Sequence, residues 1–148
     1  MDDEPFIREA IDLAREAADN GNTPFGSLLV VDGEVVQRSR NTTVTESDIT
    51  AHPELKLARW AARELDTEER EACTMYTSTE PCEMCATAIH YAGLGRVVFS
   101  VSTTALSERH GTPPGYTCRE LIEAKGGSTA VEGPILEAEG LAVHDDSS

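Results

Sequence analysis

Lysine is nearly absent from this chain: Lys56 and Lys125 are the only two in 148 residues. Lys and Arg together number 12 against 27 Asp and Glu, for a net charge of −15. Phosphate backbones and anionic lipids are held by basic patches, so the composition disfavours nucleic acid or a membrane surface as partner. An acidic, lysine-poor surface reads as adaptation to high internal salt, where a Debye length of about 3 Å at 1 M mutes self-repulsion. No stretch approaches the ~20 apolar residues that span a bilayer. The acidic start, Met1-Asp2-Asp3-Glu4, is followed by no apolar run, so no secretory signal is expected and the expected setting is cytoplasmic. In a reducing compartment the four cysteines, Cys73, Cys82, Cys85 and Cys118, do not form a disulfide framework. Internal repeats, linkers and low-complexity blocks are missing as well, which leaves one domain of a size that buries about 70% of its unfolded surface.

Apolar periodicity supplies the elements. Phe6, Ile7, Ala10, Ile11, Ala14, Ala17 and Ala18 recur at helical spacing over residues 5–19. Residues 25–31 and 34–38 are β-rich runs joined by Asp32-Gly33, a hairpin signal. The first run is apolar on both faces and is expected to be a central strand. Residues 42–50 read as loop, 50–65 as helix, 66–71 as a charged turn and 74–78 as a short strand. A helix over 82–91 ends at Gly93, and 96–101 is a buried strand. Residues 102–116 read as loop, 117–125 as helix, 129–132 as an edge strand and 134–140 as a short helix; residues 145–148 are expected to fray. Strand–helix–strand order demands parallel pairing with a right-handed crossover. The expected fold is a three-layer α/β/α sandwich on a mixed, roughly five-stranded sheet.

Two motifs carry chemistry. Cys82 and Cys85, preceded by Pro81, share one helix face in a first turn, where the helix dipole favours thiolates. His52 and Glu54 flank Pro53 in another first turn; side chains two apart diverge, so their roles must differ, with His52 on a metal and Glu54 beside it. One His and two Cys leave the fourth tetrahedral position open, the catalytic arrangement of zinc. A carboxylate near a water bound there can carry its proton. Other readings of the same residues are a thioredoxin-like redox pair, or a closed structural zinc site completed by Cys73, Cys118, His90 or His110. Cys73 and Cys118 are expected to be plain buried thiols, and His90 a packing or interface residue.

The combined pattern H-x-E…P-C-x-x-C is a known signature of zinc deaminases. The chain resembles the cytidine/deoxycytidylate deaminase superfamily, in the branch of nucleobase, guanine, nucleoside and tRNA adenosine deaminases. The resemblance rests on Asn22-Thr23-Pro24-Phe25-Gly26-Ser27, Arg40-Asn41, Ala51-His52-Pro53-Glu54 and Tyr76 through Cys85 to Ala92-Gly93. It covers residues 5–101 and weakens after them. It implies Zn2+ on His52, Cys82 and Cys85, with Glu54 as proton shuttle. It further implies that Asn41 hydrogen-bonds the base, that Phe25 and His52 wall the pocket, that the backbone at Thr79 and Glu80 borders the metal's water, and that the chain is a homodimer. Pro53 departs from the Ala of many members. So does the C-terminus: relatives close the pocket with a C-terminal aromatic, and none follows Tyr116 here. His110 and Tyr116 are candidate replacements. The expected activity is hydrolytic deamination of a free nucleobase or nucleoside, cytosine- or guanine-type. The alternatives are a tRNA-specific adenosine deaminase and a zinc-stabilised binding module without catalysis.

Overall fold

In the computed structural model, residues 2–146 are described; Met1, Ser147 and Ser148 lie outside the described residues. The chain opens on α1 (Glu4–Asp19), with Pro5 in its first turn, and buries Ile7, Ala10, Ile11, Leu13, Ala14 and Ala17 along one stripe. Strands β1 (Gly26–Val31) and β2 (Glu34–Arg40) form the expected hairpin. Asp32 and Gly33 both hold positive φ, at 52° and 79°, the pair of a type I′ turn. There follow α2 (Pro53–Glu64), α3 (Thr67–Glu71), β3 (Cys73–Thr79), α4 (Glu83–Ala92) and β4 (Arg96–Val101). The chain ends with α5 (Thr103–His110), α6 (Cys118–Ala124), β5 (Ala130–Glu132) and α7 (Glu137–Asp146).

The five strands lie in the order β2-β1-β3-β4-β5. β1 pairs antiparallel with β2 and with β3, while β3, β4 and β5 run parallel. Two antiparallel steps restore direction, so the carboxyl ends of β2, β3 and β4 meet at one edge of the sheet. Alternation then sorts the core. Leu28, Val30, Tyr76 and Val98 pack on one face against α1 and Val143 of α7. Leu29, Met75 and Val97 point to the other, against Leu57, Ala58 and Ala61 of α2 and Ile89 of α4. The three-layer sandwich and mixed sheet are those expected.

Three segments differ from expectation. Residues 102–116 are not all loop: α5 occupies 103–110, with Ser102 Oγ accepting from the Ala105 N–H at 3.1 Å. The charged turn is the single-turn helix α3, closed by a capping box in which Asp66 and Glu69 each accept from the other's N–H. The helix expected at 134–140 begins at Glu137 and runs to Asp146. Asp145 and Asp146, expected to fray, lie within it, and Arg15 holds Asp146 at 2.9 Å; Ser147 and Ser148 lie outside the described residues.

Candidate metal centre and active site

The sheet edge shared by the ends of β2, β3 and β4 carries three helix starts. His52 is the N-cap of α2 and Cys82 the N-cap of α4, both with extended backbone. α4 therefore begins one residue after the expected start at 82 and α2 three residues after the expected start at 50, so both ligands sit at N-caps and not within a first turn. Neither N-cap side chain makes a capping hydrogen bond, which leaves both free to bind a metal. Cys85 is the N3 residue of the same helix, three positions after Cys82, a spacing that puts both side chains on one side of the helix start.

His52 Nδ1 stands 3.6 Å from Cys82 Sγ and 3.5 Å from Cys85 Sγ, and the three donor atoms lie within 4.8 Å of one another. Two ligands of one tetrahedral zinc, at ~2.3 Å for sulfur and ~2.0 Å for nitrogen, are separated by about 3.6 Å. The donor set and its spacing fit that ion. Among the described residues no fourth His, Cys, Asp or Glu joins the group. Cys73 and Cys118 are buried in the core, with thiols pushed up to about 12 by burial. Hydrogen bonding from Cys85, and then from His52, pulls the Cys82 thiol down to about 4, toward the thiolate that binds metal; Cys85, as donor, is pushed up. A bound cation removes that proton outright.

Glu54 is 5% exposed, and burial pushes its carboxyl up to about 7. Behind it runs a file of hydroxyls. Ser27 Oγ lies 3.3 Å from Glu54 Oε1 and 2.8 Å from Thr77 Oγ1, and Thr77 Oγ1 donates to the Thr79 carbonyl at 3.1 Å. Ser27 and Thr77 are cross-strand partners of β1 and β3. Sequence reasoning gave neither a role; Ser27 is the lone hydroxyl of the otherwise apolar β1, whereas Thr77 is one of several hydroxyls in β3 and nothing local singles it out.

A cleft of about 220 Å³ opens beside these groups, lined in part by Phe25, His52, Glu54 and Thr79. Its far wall is α5, which presents Thr103, Leu106, Ser107 and His110, together with the turn at Pro113 and Pro114. Thr79 Oγ1 is buried with no hydrogen-bond partner among the described residues. An orphaned hydroxyl at the wall of a cleft is a group that a ligand would satisfy.

The other expected pocket residues divide. Phe25 and His110 line the cleft. Tyr116 does not; it is 64% exposed on the loop before α6. Asn41 is buried but is not among the lining side chains, and its Oδ1 accepts from Thr43 N at 2.9 Å and from Thr43 Oγ1 at 2.8 Å, which ties that oxygen to the following loop. Glu80 borders the cleft, yet both its carboxyl oxygens are taken by backbone N–H groups, of Thr103 at 2.9 Å and Cys118 at 2.8 Å. His144 of α7 was not anticipated. Its ring packs 5.6 Å from Phe25 and 6.3 Å from His110, centroid to centroid, behind the two aromatic walls. Burial, reinforced by the charges of His110 and Arg109, pulls it down to about 4. No helix among the described residues is long and apolar enough to cross a membrane.

Comparison with known proteins agrees with this geometry. Residues 1–101 match the cytidine and deoxycytidylate deaminase zinc-binding region. A probable cytosine deaminase of Schizosaccharomyces pombe is 34% identical over 144 residues, 94% of this chain and 88% of that protein. A tRNA-specific adenosine deaminase of Aquifex aeolicus is 34% identical over 111 residues, 75% of this chain and 71% of that protein. Among solved structures, the guanine deaminase of Bacillus subtilis superposes with a TM-score of 0.65 at 32% identity, over 83% of this chain and 76% of that one.

Proposed function

From the premise that the chain belongs to the cytidine and deoxycytidylate deaminase family, we propose that it is a zinc-dependent hydrolase that removes the exocyclic amine of a free nucleobase or nucleoside. The observation that carries this is the arrangement at the sheet edge: three donors at zinc spacing with the buried Glu54 beside them. A bound zinc would supply a Lewis acid that brings the acidity of a water molecule near neutral pH. Glu54 moves the protons. One proton of the attacking water passes through its carboxyl to the ring nitrogen. The hydroxyl proton of the resulting adduct passes the same way to the amine. The C–N bond then breaks, ammonia leaves and a C=O group remains. Phe25 and His110 flank the base, and Thr79 Oγ1 is free to bond one of its edges.

A small uncharged substrate suits the surroundings. The cations after residue 101 are engaged within the protein: Arg109 with Asp145, Arg119 with the Val131 carbonyl, and Lys125 with the Tyr91 hydroxyl. The alignment with a probable cytosine deaminase runs over 94% of this chain and 88% of that protein. The similarity to tRNA-specific adenosine deaminases supports a second reading, an adenosine in a tRNA loop. As part of the proposal the protein works in the cytoplasm as a homodimer, whose second copy covers Met84 and the 74% exposed Tyr91 on α4.

The test is ammonia release from cytosine, guanine, adenine and their nucleosides, beside an anticodon stem-loop RNA, with protein carrying one zinc per chain. Release from a base or nucleoside is expected, and Glu54→Ala is expected to keep zinc while losing at least about 10²–10⁴ in rate. Release from the RNA alone would favour the second reading. Loaded protein inert on every substrate, or an active Glu54→Ala variant, would sink the proposal.

A further inference from the structure

Glu80 stands at the end of β3, directly before Pro81 and the ligand Cys82, and is 7% exposed. Its main chain is tied to the next strand through Glu80 N to the Val101 carbonyl at 2.7 Å. Its side chain reaches further. Oε1 accepts from the Thr103 N–H, the first residue of α5, and Oε2 from the Cys118 N–H, the first residue of α6. The N-caps of those helices, Ser102 and Thr117, spend their hydroxyls on the N–H groups of Ala105 and Glu120, each at 3.1 Å. One carboxyl group thus closes two helix starts that the local caps leave open, and negative charge is favoured at both.

The tie matters most for α5. Eight residues are too few for a helix to persist alone, and it opens on two β-branched threonines. Yet α5 supplies the far wall of the cleft through Thr103, Leu106, Ser107 and His110, spaced i, i+3, i+4 and i+7 on one face. We infer that Glu80 is a positioning residue that fixes the α5 wall at a set distance from the metal loop and so sets affinity for the substrate; the inference rests on the proposed deaminase reading. Each oxygen of Glu80 is engaged with a helix start, which gives the side chain its structural part. It is one rigid link between the segment that bears the ligands and the segment that bears the wall.

The experiment compares zinc-loaded wild type with Glu80→Gln and Glu80→Asp by amide hydrogen exchange over residues 103–106 and 118–121 and by steady-state kinetics. Gln keeps one acceptor and sets an NH2 against the other N–H; Asp keeps the charge but is shorter, so it reaches one amide at a time. Loss of one charge-assisted hydrogen bond is worth about tenfold. Exchange at one or both helix starts is therefore expected to rise about tenfold in Glu80→Gln. KM is expected to rise about tenfold with kcat within threefold and zinc content unchanged, and Asp to fall between Gln and wild type. Unchanged protection with unchanged KM would overturn the inference. So would a fall in kcat at constant KM, which would give Glu80 a direct part in the chemistry. A wild type without ammonia release would defeat the proposed function, while the exchange measurement would still decide whether Glu80 holds the two helices.

Discussion

His144 offers a quantitative test of how the C-terminal helix is seated. Its imidazole is 8% exposed behind Phe25 and His110, and its affinity for a proton falls from the ordinary 6.5 to about 4. Below pH 6.5 the unfolded chain takes up a proton at this residue, whereas the folded chain does not until the pH nears 4. Stability is therefore complete above about 6.5 and is lost as pH falls through that window. Between pH 7.5 and 5.0 the linkage amounts to about 2 kcal/mol. For 148 residues that is a fall in Tm of about 4–8 °C. His144→Phe keeps a ring against Phe25 and removes the titration. Thermal unfolding of both proteins at the two pH values gives the double difference, which cancels acid effects common to both, including loss of metal. The wild type should lose about 4–8 °C more than the variant. Parallel losses within 1 °C would mean that His144 is charged or solvated in the folded state, and that α7 does not close over the aromatic walls.

Two further outcomes are expected. Stripping the metal with a chelator should abolish ammonia release, and adding Zn2+ should restore it; held by His52 and Cys82, an ion would close a loop of some 30 residues, and its removal should lower stability by an amount on the order of 4 kcal/mol, read from denaturant unfolding with and without zinc. Unchanged unfolding would mean that the donors are not held together by the ion. Gly26→Ala should destabilise by about 1–3 kcal/mol in urea unfolding, because a Cβ there would lie 2.5 Å from Ala14 N and 2.6 Å from the Ala10 carbonyl of α1; a neutral variant would show that α1 can shift away from β1.

What the sequence made legible is the part built from local signals. The hairpin is announced by Asp32-Gly33, α1 by its apolar stripe, and the donor group by Pro81 and Pro53 beside helix starts. The residues that escaped are those whose state is decided at a distance. α5 has a weak apolar face, two β-branched residues at its start and a Gly/Pro-rich stretch after it; it forms where Glu80, 23 positions earlier, accepts from its first N–H. Ser27 gives no local hint that it will stand against Glu54, 27 positions on. His144 lies on a helix with no apolar stripe to mark its inward side. Asn41 and Tyr116 illustrate the converse: the family resemblance implies a bond from Asn41 to the base and offers Tyr116 as a pocket closure, while in the structure Asn41 Oδ1 accepts from Thr43 and Tyr116 is exposed.

The chain's first two thirds and its last third do different work. His52, Glu54, Cys82 and Cys85 fall inside the region shared across the family, which ends at Val101. The wall formed by Thr103 to Pro114, and the His144 that backs Phe25 and His110, come after it. On the proposed reading, a change confined to the segment after Val101 would remake this wall and leave the donors and Glu54 in place. A graft of that segment between relatives would exchange the far wall of the cleft and keep Phe25 and Thr79 on the near side, so the substrate choice of such a chimaera would divide the preference between the two walls.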